Sequence, residues 1–367
     1  MLEPNLVTNP TSSSPFRIAS IIPQSGPAGL FGPSCSHCLT LAVEEVNSKG
    51  GIIGRPVQLL TIDGGQRPHL VADELSALLS ENLVDCIVGM HDSDVRTSVL
   101  RVAAGRLPYV YTPTYEGGEF IDGLFCLGET PEQIVCHPLR WLIEQRAIGR
   151  WHFVGNDYIW PRRLVEVVAD VTRLAGGELI DRDLVPIEYA EFDAILDAIE
   201  REAVEGVFVS LVGSSSVAFN RQFLARKFDR VLVRFDPLTD ANIQMAIGHE
   251  AENRLFTASA YLSNSPAPRN QQFRSAYDRR FGANAPEITS LSAGCYDGVH
   301  FIASLAAKAG SAEIAALNQA SVDFAFEGVR GSVTVQQMHL RQSIHLIEFR
   351  DGLEVEIAVF SDVPPGR

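Results

Sequence analysis

Residues 42–63, AVEEVNSKGGIIGRPVQLLTID, decide the fold class of this chain. The first part has apolar residues three and four positions apart, which is typical of an amphipathic helix. A glycine-rich turn, KGGIIGRP, follows it, and VQLLTID at 57–63 then has the composition of a buried strand. A helix that leads through a tight turn into a strand is part of a β-α-β unit, so the neighbouring segments should repeat the pattern.

The same alternation runs along most of the chain. The first series consists of predicted strands at 16–23, 57–63, 84–89 and 108–112, with helices at 34–47, 69–80 and 94–104. After LFCLGETP (124–131) a second series has predicted strands at 151–155, 178–186, 206–213, 230–237 and 254–261, with helices at 161–175, 191–203 and 215–227. A long helical region (268–309), a strand at 332–337 and a hairpin-like tail complete the chain. Helical connections of this length imply right-handed β-α-β units and parallel sheets.

Two such series predict an α/β protein with two Rossmann-like lobes, joined by a multi-strand hinge. A chain of 367 residues also exceeds one hydrophobic core of ordinary size. The predicted bounds are 16–125 with 262–331 for lobe I, 126–261 with 332–367 for lobe II, and hinge crossings near 124–131, 254–262 and 330–337. Ligands of open α/β sheets bind beyond the carboxyl ends of the strands, so two facing sheets would share one cleft.

The composition argues against several classes of protein. The net charge is -15, from 45 acidic and 30 basic residues, and such a surface would repel the phosphates of a nucleic acid. No apolar stretch approaches the ~20 residues that span a bilayer. Residues 1–15 predict a polar, disordered leader without the basic and apolar regions of a signal peptide. We therefore expect a cytoplasmic protein if this N-terminus is native, and a periplasmic one if a signal was removed.

The six cysteines favour buried, reduced thiols and a reducing compartment. They are Cys35, Cys38, Cys86, Cys126, Cys136 and Cys295. Cys35-Ser36-His37-Cys38 has the spacing of half a zinc or redox motif. No second pair completes it, and the segment continues into a helical pattern, so a structural role is favoured. Neither a metal nor a cofactor is predicted.

Polar residues collect just past five predicted strand ends. They are His91, Asp92 and Ser93; Tyr111, Thr112, Thr114 and Tyr115; Asn156, Asp157, Tyr158 and Trp160; Ser214, Ser215 and Ser216; and Asp236. Each group has a structural alternative, because a serine can cap a helix and a tyrosine before two glycines can belong to a turn. Five groups in one topological location favour a binding cleft over any of these alternatives.

The surroundings of Ser93 favour an uncharged ligand group. A helix that begins here offers unpaired amide N–H groups and a partial positive end, which can hold a carboxylate or an amide oxygen. Asp92 and Asp94 flank the serine, and only Arg96 is near enough in sequence to offset them. An anionic group would be repelled, so a neutral polar ligand such as an amide is expected.

Catalytic and nucleotide-binding motifs do not account for these residues. The chain contains no G-x-S-x-G, P-loop or H-E-x-x-H motif, and GPAGLFG (26–32) lacks the spacing of a dinucleotide loop. His37, His91 and His339 are isolated from one another in sequence, which does not support a metal site. An amidohydrolase remains a third alternative without a nucleophile–base motif to support it.

The motifs resemble those of the type I periplasmic-binding-protein superfamily, which contains the branched-chain amino-acid-binding proteins. The similarity runs from Phe16 to about Phe360 and includes the segment 42–63 and the junction VGMHDSDVRTSV (88–99). More narrowly, YTPTYEGGEF, VGNDYIWPRR and SLVGSSSVAF resemble the amide and urea binders, among them the amide-sensing negative regulator of the aliphatic amidase operon.

The resemblance implies a set of ligand contacts, namely His91, Ser93, Tyr111, Thr112, Pro113, Tyr158 and Ser214. His91 stands where the amidase regulator has a tyrosine, and Thr112-Pro113-Thr114 replaces a Pro-Thr-Pro order. Asp236 could neutralise the ammonium of an amino acid, but Ala293 replaces a glutamate of the regulator. The identity of the ligand therefore stays open among amides, ureas and amino-acid-like molecules.

The leading hypothesis is a non-enzymatic receptor that closes two lobes on a small polar ligand. It could be the solute-binding component of an ABC-type uptake system, whose partner is a membrane permease. It could instead be a cytoplasmic regulator that holds an effector protein until the ligand binds. A homodimer is compatible with both hypotheses.

Overall fold

The computed structural model describes residues 14–248 and 253–366. The predicted disordered leader, residues 1–15, lies outside these ranges except for Ser14 and Pro15. The carbonyl oxygens of these two residues accept hydrogen bonds from the Arg55 guanidinium at 2.9 and 2.7 Å. Within the described ranges no helix is both long and apolar enough to cross a membrane.

The strands of the described chain are numbered in chain order. They are β1 (Phe16–Ile22), β2 (Val57–Asp63), β3 (Cys86–Gly89), β4 (Tyr109–Tyr111), β5 (Leu124–Cys126), β6 (Arg150–Asn156), β7 (Glu178–Val185), β8 (Gly206–Ser210), β9 (Val233–Phe235), β10 (Leu255–Ser259), β11 (Ala325–Gly328), β12 (Gly331–Gln336), β13 (His339–Arg350) and β14 (Leu353–Val363).

The helices are numbered in the same way. They are α1 (Gly32–Ser48), α2 (Pro68–Ser80), α3 (Ser93–Ala103), α4 (His137–Arg146), α5 (Ile159–Leu174), α6 (Asp193–Arg201), α7 (Gly213–Ala225), α8 (Ala241–Ile247), α9 (Pro268–Phe281), α10 (Ser290–Ala309) and α11 (Ile314–Ser321). A short 3-10 turn (Gly29–Phe31) precedes α1, and a π-helical turn (Glu132–Cys136) precedes α4.

The strands form two parallel sheets that share one long strand. The first sheet has the order β2-β1-β3-β4-β5, and the second has the order β7-β6-β8-β9-β10. β13 pairs with β5 at its start, through His339 and Cys126, and runs antiparallel to β10 further along. The chain therefore passes from one sheet to the other after β5, after β10 and along β13 itself.

The alternation predicted from the sequence agrees with these elements to within a few residues in most places. Prediction missed α4, α8, α11, β5 and β11, and treated 268–309 as one helical region. The structure divides that region into α9 and α10, because Thr289 caps α10 by accepting a hydrogen bond from the Ser292 amide.

Apolar side chains cover both faces of each sheet. β3 and β8 are buried along their whole length, as expected for strands of a sheet that has helices on both sides. α1 and α10 pack together on one face of the first sheet, in a cluster that includes Cys35, Cys38 and Cys295. All six cysteines are free thiols and five are buried, with Cys136 partly exposed. Burial raises the pKa of five of these thiols, so those five are poor nucleophiles; they are Cys35, Cys38, Cys86, Cys126 and Cys136.

Candidate functional site

A cavity lies between the carboxyl ends of the strands of the two sheets. One wall follows β3 and β4, and includes Ser93 and Tyr111; the other follows β6, β8 and β9, and includes Tyr158. The centre of a water molecule can move through about 100 Å³ of this space. The cavity can therefore hold a small molecule.

Asp92, and not Ser93, caps α3. The Oδ1 atom of Asp92 accepts a hydrogen bond from the Val95 amide at 3.0 Å. The alternative that Ser93 serves only as a helix cap is therefore wrong. Ser93 is instead the first residue of α3, is 2% exposed, and lines the cavity.

His91 is a neutral residue of the cavity wall. Its Nδ1 atom lies 3.1 Å from the Asp92 carbonyl oxygen, which can only accept, so Nδ1 carries the proton. Nε2 therefore accepts a hydrogen bond from the Tyr109 hydroxyl at 2.8 Å. Burial lowers the pKa of His91 to about 3, and the positive charge of Arg96 acts in the same direction. His91 thus contributes shape and no positive charge.

Tyr111 also lines the cavity, and its hydroxyl already makes a hydrogen bond within the protein. It donates a hydrogen bond to the His91 carbonyl oxygen at 2.6 Å, which links the end of β4 to the start of the loop after β3. The Arg96 guanidinium lies over the Tyr111 ring, 5.0 Å from its centre. Burial raises the pKa of Tyr111, so the hydroxyl keeps its proton.

The segment YTPTYEGGEF is tied to α3 by a buried ion pair. The Nη2 atom of Arg96 lies 2.6 Å from Glu116 and 3.0 Å from Glu119, and its guanidinium lies 5.5 Å from the centre of the Tyr115 ring. Tyr115 is fully buried and hydrogen-bonded to His339, so its interpretation as a turn with an exposed ring is wrong. These residues hold the cavity wall in place from behind.

Pro113 and Thr114 line the cavity, whereas Thr112 faces away from it. The Thr112 hydroxyl donates to the Gly89 carbonyl oxygen at 3.2 Å, and its methyl group packs against Gly298 of α10. This placement corrects the prediction of a ligand contact at Thr112, because its hydroxyl and its methyl group are directed toward Gly89 and α10.

Tyr158 forms the opposite wall. It precedes α5 in an extended conformation and is half-buried. Burial raises the pKa of Tyr158, and the negative charges of Asp92 and Glu116 raise it further. Ser93 and Tyr158 therefore line the same cavity from different sheets.

Ser214 does not line this cavity. α7 begins at Gly213, two residues earlier than predicted, so Leu211 and Val212 take the place at the cavity wall. Ser214 lies in a separate surface groove beside Pro27 and Arg221.

Asp236 lies behind the cavity wall, because its Oδ1 atom turns to accept a hydrogen bond from the Leu238 amide at 2.9 Å. Residues 237–240 line the cavity in its place. Asp236 is 1% exposed, and burial raises its pKa to about 7.

The lining also includes Trp160, which was a predicted cleft residue but not one of the implied ligand contacts, and three acidic residues that were not predicted. Trp160 is 2% exposed, and its indole N–H has no hydrogen-bond partner among the described residues. Glu129, Asp240 and Glu354 each bind backbone N–H groups, at Ala260, at Asn242 and Ile243, and at Ser263, respectively. Trp160 was predicted as a cleft residue because it follows the end of a strand. The local sequence around the three acids does not indicate that they lie at the cavity.

The two-lobed geometry and a match to a family model identify the family. A model described as "Periplasmic binding protein" matches residues 15–352. The chain belongs to this periplasmic binding protein family. The predicted resemblance and the α/β fold class with two parallel-sheet lobes are confirmed.

Among curated relatives of this periplasmic binding protein is the Leu/Ile/Val-binding protein BraC3 of Rhizobium johnstonii. It is 22% identical over 315 residues, which cover 84% of this chain and 83% of the relative. "Leu/Ile/Val-binding protein homolog 6" of Brucella melitensis is 27% identical over 181 residues, or 47% of this chain and 46% of that protein.

Solved structures share the fold over almost the whole chain. An amino acid ABC transporter substrate-binding protein from Pseudomonas fluorescens has a TM-score of 0.85 and 16% identity, covering 96% of this chain and 98% of that one. A solute-binding protein from R. palustris in complex with benzoate has a TM-score of 0.83 and 18% identity, with the same coverage. The branched-chain amino acid binding protein LivJ from Streptococcus pneumoniae, in complex with isoleucine, has a TM-score of 0.81 and 18% identity, covering 96% of this chain and 100% of that one.

Proposed function

We propose that this protein is the solute-binding component of an ABC-type uptake system, with a membrane permease as its partner. The observation that carries the proposal is the cavity whose walls come from both sheets, with Ser93 on one and Tyr158 on the other. The matched relatives named for Leu, Ile and Val binding support the same class of function.

We propose that the ligand is a small polar molecule with an amide, urea or amino-acid-like group. The five proposed contacts are His91, Ser93, Tyr111, Pro113 and Tyr158. The ligand would meet the Ser93 hydroxyl and the N-terminus of α3 on one side, and Tyr158 on the other. The rings of Tyr111 and Tyr158 would exclude water around the polar group.

Ligand binding would cause the two lobes to close. The proposed lobes are 16–125 with 262–331, and 126–261 with 332–367, and they would rotate about the three chain crossings. A ligand that contacts both walls binds the closed form better than the open form, and so shifts the balance between the two. A permease that recognises the closed form would then receive loaded protein only.

The chemistry of the wall supports binding without turnover. Both ring nitrogens of His91 are occupied, by the Asp92 carbonyl oxygen and the Tyr109 hydroxyl, so the ring is not poised to activate Ser93 as a nucleophile. Turnover of a bound amide that is abolished by Ser93→Ala would contradict this part of the proposal.

The test is a thermal-shift screen of amides, ureas, amino acids and aromatic acids, followed by small-angle scattering. A true ligand should raise the melting temperature, because it binds only the folded form, and should reduce the radius of gyration as the lobes close. Deletion of the gene should abolish uptake of that compound. A ligand that binds tightly without any change in the radius of gyration would contradict the closure mechanism.

The buried free thiols favour a second candidate, the cytoplasmic regulator that sequesters an effector protein. Five reduced, buried cysteines suit a reducing compartment. In that case the protein should be found in the cytosolic fraction, in a complex that the ligand dissociates. Recovery in the periplasmic fraction would overturn this second candidate.

A further inference from the structure

The cavity is acidic along its lining. Four carboxyl groups line it, those of Asp92, Glu129, Asp240 and Glu354, and none of the described lining residues is a lysine or an arginine. The one histidine of the lining, His91, is held neutral by burial. Glu129 and Asp240 are buried, and a carboxylate removed from water without a counter-charge is unfavourable, so a positively charged ligand group would compensate for them.

Three of these carboxyl groups are connected through two neighbouring segments of the chain, 259–263 and 289–290. Glu129 accepts a hydrogen bond from the Ala260 amide at 2.7 Å, and Glu354 accepts from the Ser263 amide at 2.9 Å. Ser259, next to Ala260, is hydrogen-bonded through its hydroxyl to Ser290 at 2.8 Å.

Asp240 joins this group through the start of α10. The hydroxyl of Thr289, adjacent to Ser290, is close enough to Asp240 to act on its ionisation. We call Glu129, Asp240 and Glu354 the acidic end of the cavity.

The other part of the wall suits an uncharged acceptor. Asp92 and Asp94 flank the N-terminus of α3 and would repel a carboxylate placed beside Ser93. Trp160 is 2% exposed, lines the cavity, and has an indole N–H without a partner among the described residues. A buried donor of this kind needs an acceptor oxygen, and an amide carbonyl supplies one without adding negative charge.

We infer that the ligand is a cationic carboxamide, a short amine that carries an uncharged amide group, such as an amino-acid amide. Its ammonium group lies at the acidic end, and its carbonyl oxygen meets Ser93 and the Trp160 indole. This inference rests on the proposed function and narrows its ligand class. It distinguishes the protein from a binder of free amino acids or of aromatic carboxylates, because either would bring a carboxylate into an acidic cavity.

Ionisation of the acidic end supports the same assignment. Burial raises the pKa of Asp240 to about 6, although the amides of Asn242 and Ile243 stabilise its charged form. Asp240 in turn raises the pKa of the neighbouring Asp236, whereas Arg234 lowers it. A cation placed at the acidic end would favour the ionised form of Asp240 and so gain affinity from it.

The test compares matched compounds by isothermal titration calorimetry. One series is alaninamide, alanine and propionamide, and the other is leucinamide, leucine and isocaproamide. In at least one series the cationic amide should bind about tenfold tighter than the amino acid and the neutral amide, since only it satisfies both ends. A tighter amino acid, or a neutral amide that binds equally well, would overturn the inference.

If none of the six compounds binds, the inference of a cationic carboxamide is also overturned. The proposed function is not affected, because the broader ligand screen and the scattering measurement test lobe closure separately. Asp240→Asn provides the second readout, since asparagine keeps the capping acceptor of α8 and removes only the charge. It should weaken the cationic amide about tenfold and the neutral amide little. Asp73→Asn, exposed on α2, is the matched control and should change neither; equal affinities in wild type and Asp240→Asn would refute the acidic end.

Discussion

The carbonyl oxygen of Pro27 lies 1.7 Å from the position that a Cβ atom on Gly213 would occupy. Pro27 follows β1 in the first lobe, and Gly213 begins α7 in the second, so the two lobes touch at this point. Gly213 also has a φ of +51°, where a side chain is disfavoured. The contact needs a glycine for its conformation and for its lack of a side chain.

Gly213→Ala should therefore weaken ligand binding. A methyl group at this position would collide with the Pro27 backbone, and moving the lobes apart would relieve the collision, so the open form should be favoured. We expect about a tenfold loss of affinity, equivalent to ~1.4 kcal/mol of closure free energy, measured by calorimetry.

Gly310→Ala is the control for the conformational part of this effect. Gly310 ends α10 with a φ of +64°, and no neighbouring atom lies within 4 Å of the position that its Cβ would occupy. Both variants should lose similar stability, about 1 kcal/mol from the left-handed backbone. Equal ligand affinities in the two variants would show that the contact with Pro27 does not control closure.

Ser93→Ala should weaken ligand binding without lowering the stability of the free protein. Ser93 lines the cavity, and the cap of α3 is supplied by Asp92, so the helix keeps its N-terminal hydrogen bond. Loss of one hydrogen bond to the ligand costs about 1 kcal/mol, or roughly fivefold in affinity. Titration calorimetry and thermal denaturation of the free protein measure the two effects.

The control for this variant is Ser98→Ala, in the same helix and buried outside the cavity lining. Its ligand affinity should equal that of the wild type. If Ser93→Ala binds the ligand as well as Ser98→Ala does, Ser93 is not a contact.

The fold could be predicted from the alternation of strand and helix segments, because each β-α-β unit has its own local pattern of apolar residues. Ser93 and Tyr158 were found from sequence for the same reason: each directly follows a strand end, and parallel strand ends share one edge of a sheet. The same reasoning also selected Thr112, Ser214 and Asp236, which do not line the cavity. The direction of a side chain changes when a strand or helix boundary moves by one or two residues, and the sequence pattern does not define boundaries that closely.

The acidic end could not be predicted from local sequence. Glu129 meets Ala260 across 131 positions, and Glu354 meets Ser263 across 91. Such contacts depend on how the three chain crossings come together, and no periodicity within a segment contains that information. The ion pair between Arg96 and Glu116 was missed similarly, since both residues could equally have faced solvent.

Arg96→Met should destabilise the protein by about 3 kcal/mol, because it leaves the buried Glu116 carboxylate without its cation. The Arg96 and Glu116 side chains are 4% and 10% exposed, so water does not replace the lost partner. Urea denaturation measures the change. Adding Glu116→Gln should recover part of it, since that substitution removes the unpaired charge.

Arg140→Met tests whether burial is the cause. Arg140 pairs with Glu144 at 2.9 Å, but their side chains are 57% and 46% exposed. Removing an exposed pair of this kind changes stability by about 0.5 kcal/mol or less. A similar loss in the Arg96 and Arg140 variants would contradict the assigned role of Arg96.

His152 should make the stability of the protein depend on pH. Its side chain is buried on β6, with Nε2 2.9 Å from Asp183 and Nδ1 2.8 Å from Glu202. Burial alone lowers the pKa of His152, but the hydrogen bonds and charges of the two carboxylates outweigh it and hold the pKa above its ordinary value. Between these two pKa values the folded protein binds more protons than the unfolded chain does, so stability falls as the pH rises.

The contribution of His152 is thus complete below about pH 6.5, its ordinary pKa, and is lost as the pH rises through the raised value. His152→Gln should remove this part of the pH dependence. Urea denaturation of both proteins across a pH series measures it as the difference between their unfolding free energies. His69→Gln, exposed on α2, serves as the control and should follow the wild type. A difference between wild type and His152→Gln that stays constant with pH would mean that the two carboxylates do not stabilise a protonated His152.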